Sequence, residues 1–188
     1  YPVIVEAEGV VFERCLFQPD AVGPGCPFIN AQDHYTVFRN CEMDFDGPPV
    51  ENAKLSIGVV VVGCIYECNI YGAATGISIH NFGLDKPSVA EGNYVHDLRY
   101  EEPAHVDGLT VRSCSGSGGM VIRNNRIITD VVATGPLFMQ ALQGHINNVF
   151  IEGNLLQGNG YTIGLEYNKY GYGWNIQVKN NRLDPWTN

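Results

Sequence analysis

His105, Asp107 and Arg112 come closest, among the residues of this chain, to a reactive constellation. In the segment His105-Val-Asp107-Gly108 an imidazole and a carboxylate stand two positions apart, so on an extended strand they share one face. A carboxylate can donate or accept a proton there, but glycoside hydrolysis needs two carboxylates about 5–10 Å apart. The candidates to partner Asp107 are Asp97 and Glu166. A polysaccharide lyase would instead need a base, a role open to Arg112, and usually a calcium held by several carboxylates. Asp44, Asp46 and Gly47 open like a calcium loop, but the later ligands are missing; no metal and no cofactor is expected.

A second set of residues could bind rather than react. The segments GISIH (76–80), GLTVR (108–112), LFMQ (137–140) and TIGLE (162–166) alternate apolar and polar residues, as half-buried strands do. Aligned, they put His80, Arg112, Gln140 and Glu166 in one outward file beside Ser78, Thr110, Phe138 and Gly164. Such a polar strip suits an extended glycan, although outward strand positions are polar whatever a protein does. Tyr161, Tyr167, Tyr170, Tyr172 and Trp174 then crowd one segment, with four of the chain's ten tyrosines inside twelve residues. Aromatic rings stack on sugars, anchor protein interfaces, or pack on their own column.

A long-period repeat must position these residues. VVFERCLFQ (10–18), TVFRNCEMD (36–44), CIYECNIYG (64–72), SVAEGNYVH (88–96), MVIRNNRII (120–128), VFIEGNLLQ (149–157) and IQVKNNRLD (176–184) share one frame. The key turn residue is in turn Cys15, Cys41, Cys68, Asn93, Asn125, Asn154 and Asn181, at spacings of 26, 27, 25, 32, 29 and 27 residues. Short strands at a fixed period of about 28 residues define a parallel β-helix, whose coils bury an apolar face only by stacking. The fold expected is an all-β, single-stranded parallel β-helix of about seven coils over residues 1–183, with 184–188 as a C-terminal extension or cap carrying Trp186. Ile77, Leu109, Leu137 and Ile163 should align inward, as should Ile79, Val111, Met139 and Leu165. Asn at the turn lets amides bond up and down the stack and tolerates the left-handed conformation of a tight turn.

The stretches YVHDL (94–98), HVDGLTV (105–111), VIRNNRI (121–127), NNVFIEGNLLQGNGYTIGL (147–165) and IQVKNNRL (176–183) resemble the right-handed parallel β-helix proteins of the pectin-lyase-like superfamily. The branch they are most similar to occurs in actinobacteria and in the tails of their phages. The resemblance implies a right-handed helix. It also implies a virion structural module, such as a minor tail protein or tailspike, that engages host cell-surface polysaccharide alongside other tail proteins in a larger, trimeric assembly. The alternative it implies is a secreted or virion-borne polysaccharide lyase or glycoside hydrolase acting through His105, Asp107 and Arg112. Related hydrolases carry an Asn-x-Asp-Gly segment where this chain has His105-Val-Asp107-Gly108.

Composition narrows the field. Charged residues make up 16% of the 188 positions and glycines number 22, against roughly 25% charged and 7% Gly in ordinary soluble domains. The net charge of -9 opposes nucleic-acid binding, which needs a basic surface. The most apolar run, residues 57–66, spans half of the ~20 residues that a membrane helix requires, so no membrane insertion is expected. Cys15, Cys41 and Cys68 read as a ladder of small buried thiols, with Cys26, Cys64 and Cys114 elsewhere and no zinc spacing. Unpaired thiols suit assembly in a reducing cytoplasm.

Overall fold

A computed structural model describes residues 3–19, 27–47, 57–99, 105–131, 134–167 and 171–185. The chain winds as a parallel β-solenoid of about six turns, and no helix occurs among the described residues. The seven turn motifs bound those turns, close to the coil count that the sequence suggests. Each coil contributes three strand segments, and every strand pair is parallel.

One face is a seven-stranded sheet made of Leu16–Phe17, Glu42–Asp44, Asn69–Tyr71, Tyr94–His96, Arg126–Thr129, Leu155–Gly158 and Arg182–Pro185. Its inward file runs Phe17, Met43, Ile70, Val95, Ile127, Leu156, Leu183. The other two faces share a twelve-stranded sheet. They are joined because Ile29–Arg39 and Ile57–Tyr66 run around the corner and serve both. One of these faces stacks Phe12, Phe38, Ile65, Ala90, Ile122, Ile151 and Val178. The other stacks Ile77, Leu109, Leu137 and Ile163, and beside them Ile79, Val111, Met139 and Leu165, as the alternation predicts. Except for Leu165, Val178 and Leu183, which are exposed on the last coil, these files belong to one continuous apolar core. Adding a coil about 4.8 Å along the axis covers the inward residues of the coil before it.

The turn between the first two faces shows why the repeat has its frame. The residue before each key position has positive φ: Arg14, Asn40, Glu67, Gly92, Asn124, Gly153 and Asn180. The left-handed residue is thus the one preceding the ladder position, where sequence reading credits the ladder Asn itself. The ladder residues do different work. The Oδ1 of Asn125 accepts from the backbone N–H of Asn93 (3.0 Å) and from its Nδ2 (2.9 Å). Asn154 does the same for Asn125 (2.9 and 2.9 Å), and Asn181 for Asn154 (2.9 and 2.8 Å). Asn93 accepts from the Cys68 N–H, where the amide file stops. Cys41 and Cys68 are buried free thiols in the same file, and burial pushes the Cys68 thiol up to about 12, so it stays protonated. Cys26 and Trp186 lie outside the described residues.

Candidate functional site

The strand Asp107–Cys114 carries the centre of the site. It begins in register with Thr75 on one neighbouring coil and Gly135 on the other. Gly108 is required at that corner, because a Cβ there would collide with the Ile127 side chain and the Pro136 carbonyl. From Leu109 onward the residues alternate, with Leu109 and Val111 in the core and Thr110 and Arg112 turned outward.

The file Ser78, Thr110, Phe138, Gly164 pairs as the alignment predicts, and Gln140 pairs with Glu166, but the register shifts past Val111, so His80 and Arg112 are not register partners. Arg112 Nη1 donates to Gln140 Oε1, and Gln140 Nε2 donates to Glu166 at 2.7 Å. The Arg112 guanidinium also lies over the Phe138 ring, 5.9 Å from its centroid, where the ring's negative face favours a cation. Arg112, Gln140 and Glu166 therefore form one hydrogen-bonded line across three coils.

His80 departs from expectation. The alternation of its strand predicts an open polar position, yet the residue is 3% exposed. The strands Ile57–Tyr66 and Thr75–Asn81 are buried on both faces, so an outward position there does not meet solvent. The run IGVVVVGCIY carried that signal, because unbroken apolarity in a strand marks burial on both sides. His80 Nε2 lies 3.0 Å from Ser78 Oγ, which in turn accepts from Thr110 Oγ1 at 3.1 Å. The other ring nitrogen, Nδ1, is a buried atom without a partner among the described residues. Burial, helped by the Arg112 charge, pulls the His80 imidazole down to about 4, so it is neutral at pH 7.

Asp107 is fully buried, and neither carboxylate oxygen has a hydrogen-bond partner among the described residues. Arg112 Nη2 approaches Asp107 Oδ2 at 3.9 Å, too long for a hydrogen bond. Burial pushes the Asp107 carboxyl up to about 6, against the pull of the Arg112 and His105 charges. Burial also lowers the Arg112 pKa, while Asp107 and Glu166 raise it. His105 is exposed, with Nδ1 3.0 Å from Thr134 Oγ1. His105, Asp107 and Arg112 thus share one neighbourhood.

A hydrolytic pair does not assemble around them. Asp107 and Glu166 lie two coils apart, as the alignment suggests, but the register also separates them by five positions along the strand. At ~3.3 Å per residue and ~4.8 Å per coil their backbones are about 19 Å apart, well beyond the 5–10 Å that acid and base or nucleophile span. Asp97 lies at the far end of the Tyr94–His96 strand, where its carboxylate contacts His96 Nδ1 at 2.6 Å.

Beyond Glu166 the surface becomes aromatic. Tyr161, Tyr167, Tyr172 (62% exposed) and Trp174 (44%) all meet solvent; Tyr170 lies outside the described residues. His145, Tyr172 and Trp174 form a cluster with ring centroids 4.4, 5.3 and 5.8 Å apart. The Tyr172 N–H donates to His145 Nδ1 at 3.3 Å. His145 escaped notice in the sequence, because it stands 27 residues before Tyr172 and only the coil period brings the two together.

The seven-stranded sheet holds a second grouping that sequence reading missed. Asp44, Tyr71 and His96 stack in one outward file, beside a groove of about 420 Å³. The repeat frame held the signal, since Tyr71 and His96 stand three residues after Cys68 and Asn93. Among the described residues no group of three or more His, Cys, Asp or Glu is placed to hold a metal.

Fold and site geometry define a parallel β-solenoid with one polar, aromatic-ended face. Comparison with family models, with curated proteins and with solved structures finds no match to this chain.

Proposed function

We propose that this solenoid is a carbohydrate-engaging module of a phage tail, binding host cell-surface polysaccharide without cleaving it. The observation that carries the reading is the line Arg112–Gln140–Glu166 leading to the exposed rings of Tyr167, Tyr172 and Trp174. Charged and amide groups in a row match successive sugar hydroxyls, and open ring faces match sugar C–H surfaces. The virion setting, with other tail proteins and a trimeric assembly as partners, rests on the likeness of the repeat segments to tail β-helices. In binding assays against purified cell-wall polysaccharide, Tyr172→Ala and Trp174→Ala should each weaken retention by about tenfold or more. Unchanged retention in both variants overturns the reading.

A second reading, a glycoside hydrolase or lyase that is virion-borne or secreted, is favoured by one observation. Asp107 is a buried acid with no hydrogen bond among the described residues, and burial pushes its carboxyl up to about 6, in the direction a general acid requires. Release of reducing ends or of unsaturated products, abolished in Asp107→Asn, would install this reading in place of the first.

A further inference from the structure

We propose that the groove on the seven-stranded sheet is a separate seat for a single pyranose, stacked on Tyr71 and hydrogen-bonded by Glu42 and its neighbours. The seat is independent of the Arg112 line, because it is built on another sheet and from the amino-terminal coils.

The aromatic file shows where a ring face is left open. The Tyr94 and His96 rings stack at 4.0 Å and the His96 and Tyr71 rings at 5.2 Å, both close to parallel. Arg126 covers Tyr94 from the next coil, its guanidinium carbon 4.9 Å from the ring centroid. One coil earlier the residue in the file of Tyr71 is Asp44, and the file of rings ends. The short Asp44 side chain leaves the groove beside the last ring, and Tyr71 forms one of its walls.

The groove's polar groups are mixed in kind. Tyr71 Oη donates to Glu42 Oε1 at 2.9 Å, which orients both groups. Gln18 Nε2 donates to Asp44 Oδ2 at 2.8 Å, and the Asp46 N–H donates to Asp44 Oδ1 at 2.9 Å. Asp44 is thus largely occupied within the protein. Glu42 Oε2 remains an acceptor, while Arg14 and Asn40 line the groove as donors that bond no described residue through their side chains. A site for a metal ion or an ammonium would gather acceptors alone. Donors and acceptors facing one aromatic wall match a sugar, whose hydroxyls both give and receive hydrogen bonds and whose axial C–H face is apolar.

The test is amide shift mapping of the full chain with methyl β-galactoside, methyl β-glucoside and methyl N-acetyl-β-glucosaminide, with calcium and methylammonium as cation probes. At least one glycoside should shift amides at Glu42, Asp44 and Tyr71. Glu42→Gln and Tyr71→Ala should weaken that response about tenfold, and Tyr71→Phe should keep it, because the ring rather than its hydroxyl makes the wall. Tyr172→Ala should leave this response unchanged even if it abolishes polysaccharide retention, which separates the seat from the function proposed above. A response to the cations alone, sugar shifts confined to the His145–Trp174 cluster, no shift with any probe, or full binding by Glu42→Gln would each overturn the proposal.

Discussion

Two buried residues beside one guanidinium oppose each other in their response to pH. Asp107 titrates near 6 when folded and near 3.8 when unfolded. The folded state therefore holds a proton that the unfolded state has lost, and stability declines as pH rises from about 4 to 6. His80 titrates near 4 when folded and near 6.5 when unfolded. Its unfolded state holds the extra proton, so stability declines as pH falls from about 6.5 to 4. Each effect amounts to roughly 3 kcal/mol at most, and in the wild type they cancel over the shared window. Asp107→Asn should raise stability at pH 7 and leave a profile that falls steeply toward pH 4. His80→Gln should tilt the profile the other way. Thermal melts of the three proteins between pH 4 and 8 check this, and parallel profiles would refute it. Asp107 and Arg112 were legible as candidates from residue type and spacing. The burial of His80 was not, because it depends on what lies over the strand rather than on the strand's own alternation.

Alternation, a property of a single element, was the most readable signal. It gave the inward files that the register confirms, residue for residue, from Ile77 to Ile163 and from Ile79 to Leu165. Turn chemistry is half legible: the recurrent Asn and Cys mark the ladder file, whereas the preceding left-handed position varies too much in residue type to stand out. That position holds Gly or Asn at five of seven turns and Arg14 or Glu67 at the others. A residue with a Cβ pays about 1–2 kcal/mol in this conformation. Glu67→Gly should therefore stabilise the protein by about 0.5–1 kcal/mol after the added chain entropy of Gly. The reverse change at the opposite corner, Gly108→Ala, should destabilise by about 1–3 kcal/mol, since the new methyl meets Ile127 and Pro136. Denaturant midpoints measure both; a stabilised Gly108→Ala would contradict the corner geometry.

At the level of the whole molecule, stability is close to a sum over coils and their contacts. Removing residues 126–154 excises one period and joins Asn125 to Leu155, so that Asn181 takes the ladder position of Asn154. The shortened chain should still unfold cooperatively. Its denaturant dependence should be lower by about one sixth, because one of about six turns is lost and the slope follows buried area. Loss of cooperative unfolding would show that the coils are not interchangeable. The period, and with it this prediction, came from sequence, as did the aromatic segment past Glu166. What sequence did not convey was which outer faces stay open, since that is settled between coils and not within them.

The asparagine file has one more property. Every carboxamide oxygen in it points the same way, toward the amino-terminal coils, and in Asn93, Asn125 and Asn154 one Nδ2 hydrogen reaches the next oxygen in the file while the other returns to a backbone carbonyl of the preceding coil. Small dipoles in single file reinforce one another, so this row has an electrical head and tail, whereas in the sheets around it N–H and C=O groups alternate in direction and largely cancel. Its negative head rests on the Cys68 N–H, and a cysteine file cannot pass it on, so the polarisation is confined to the later coils.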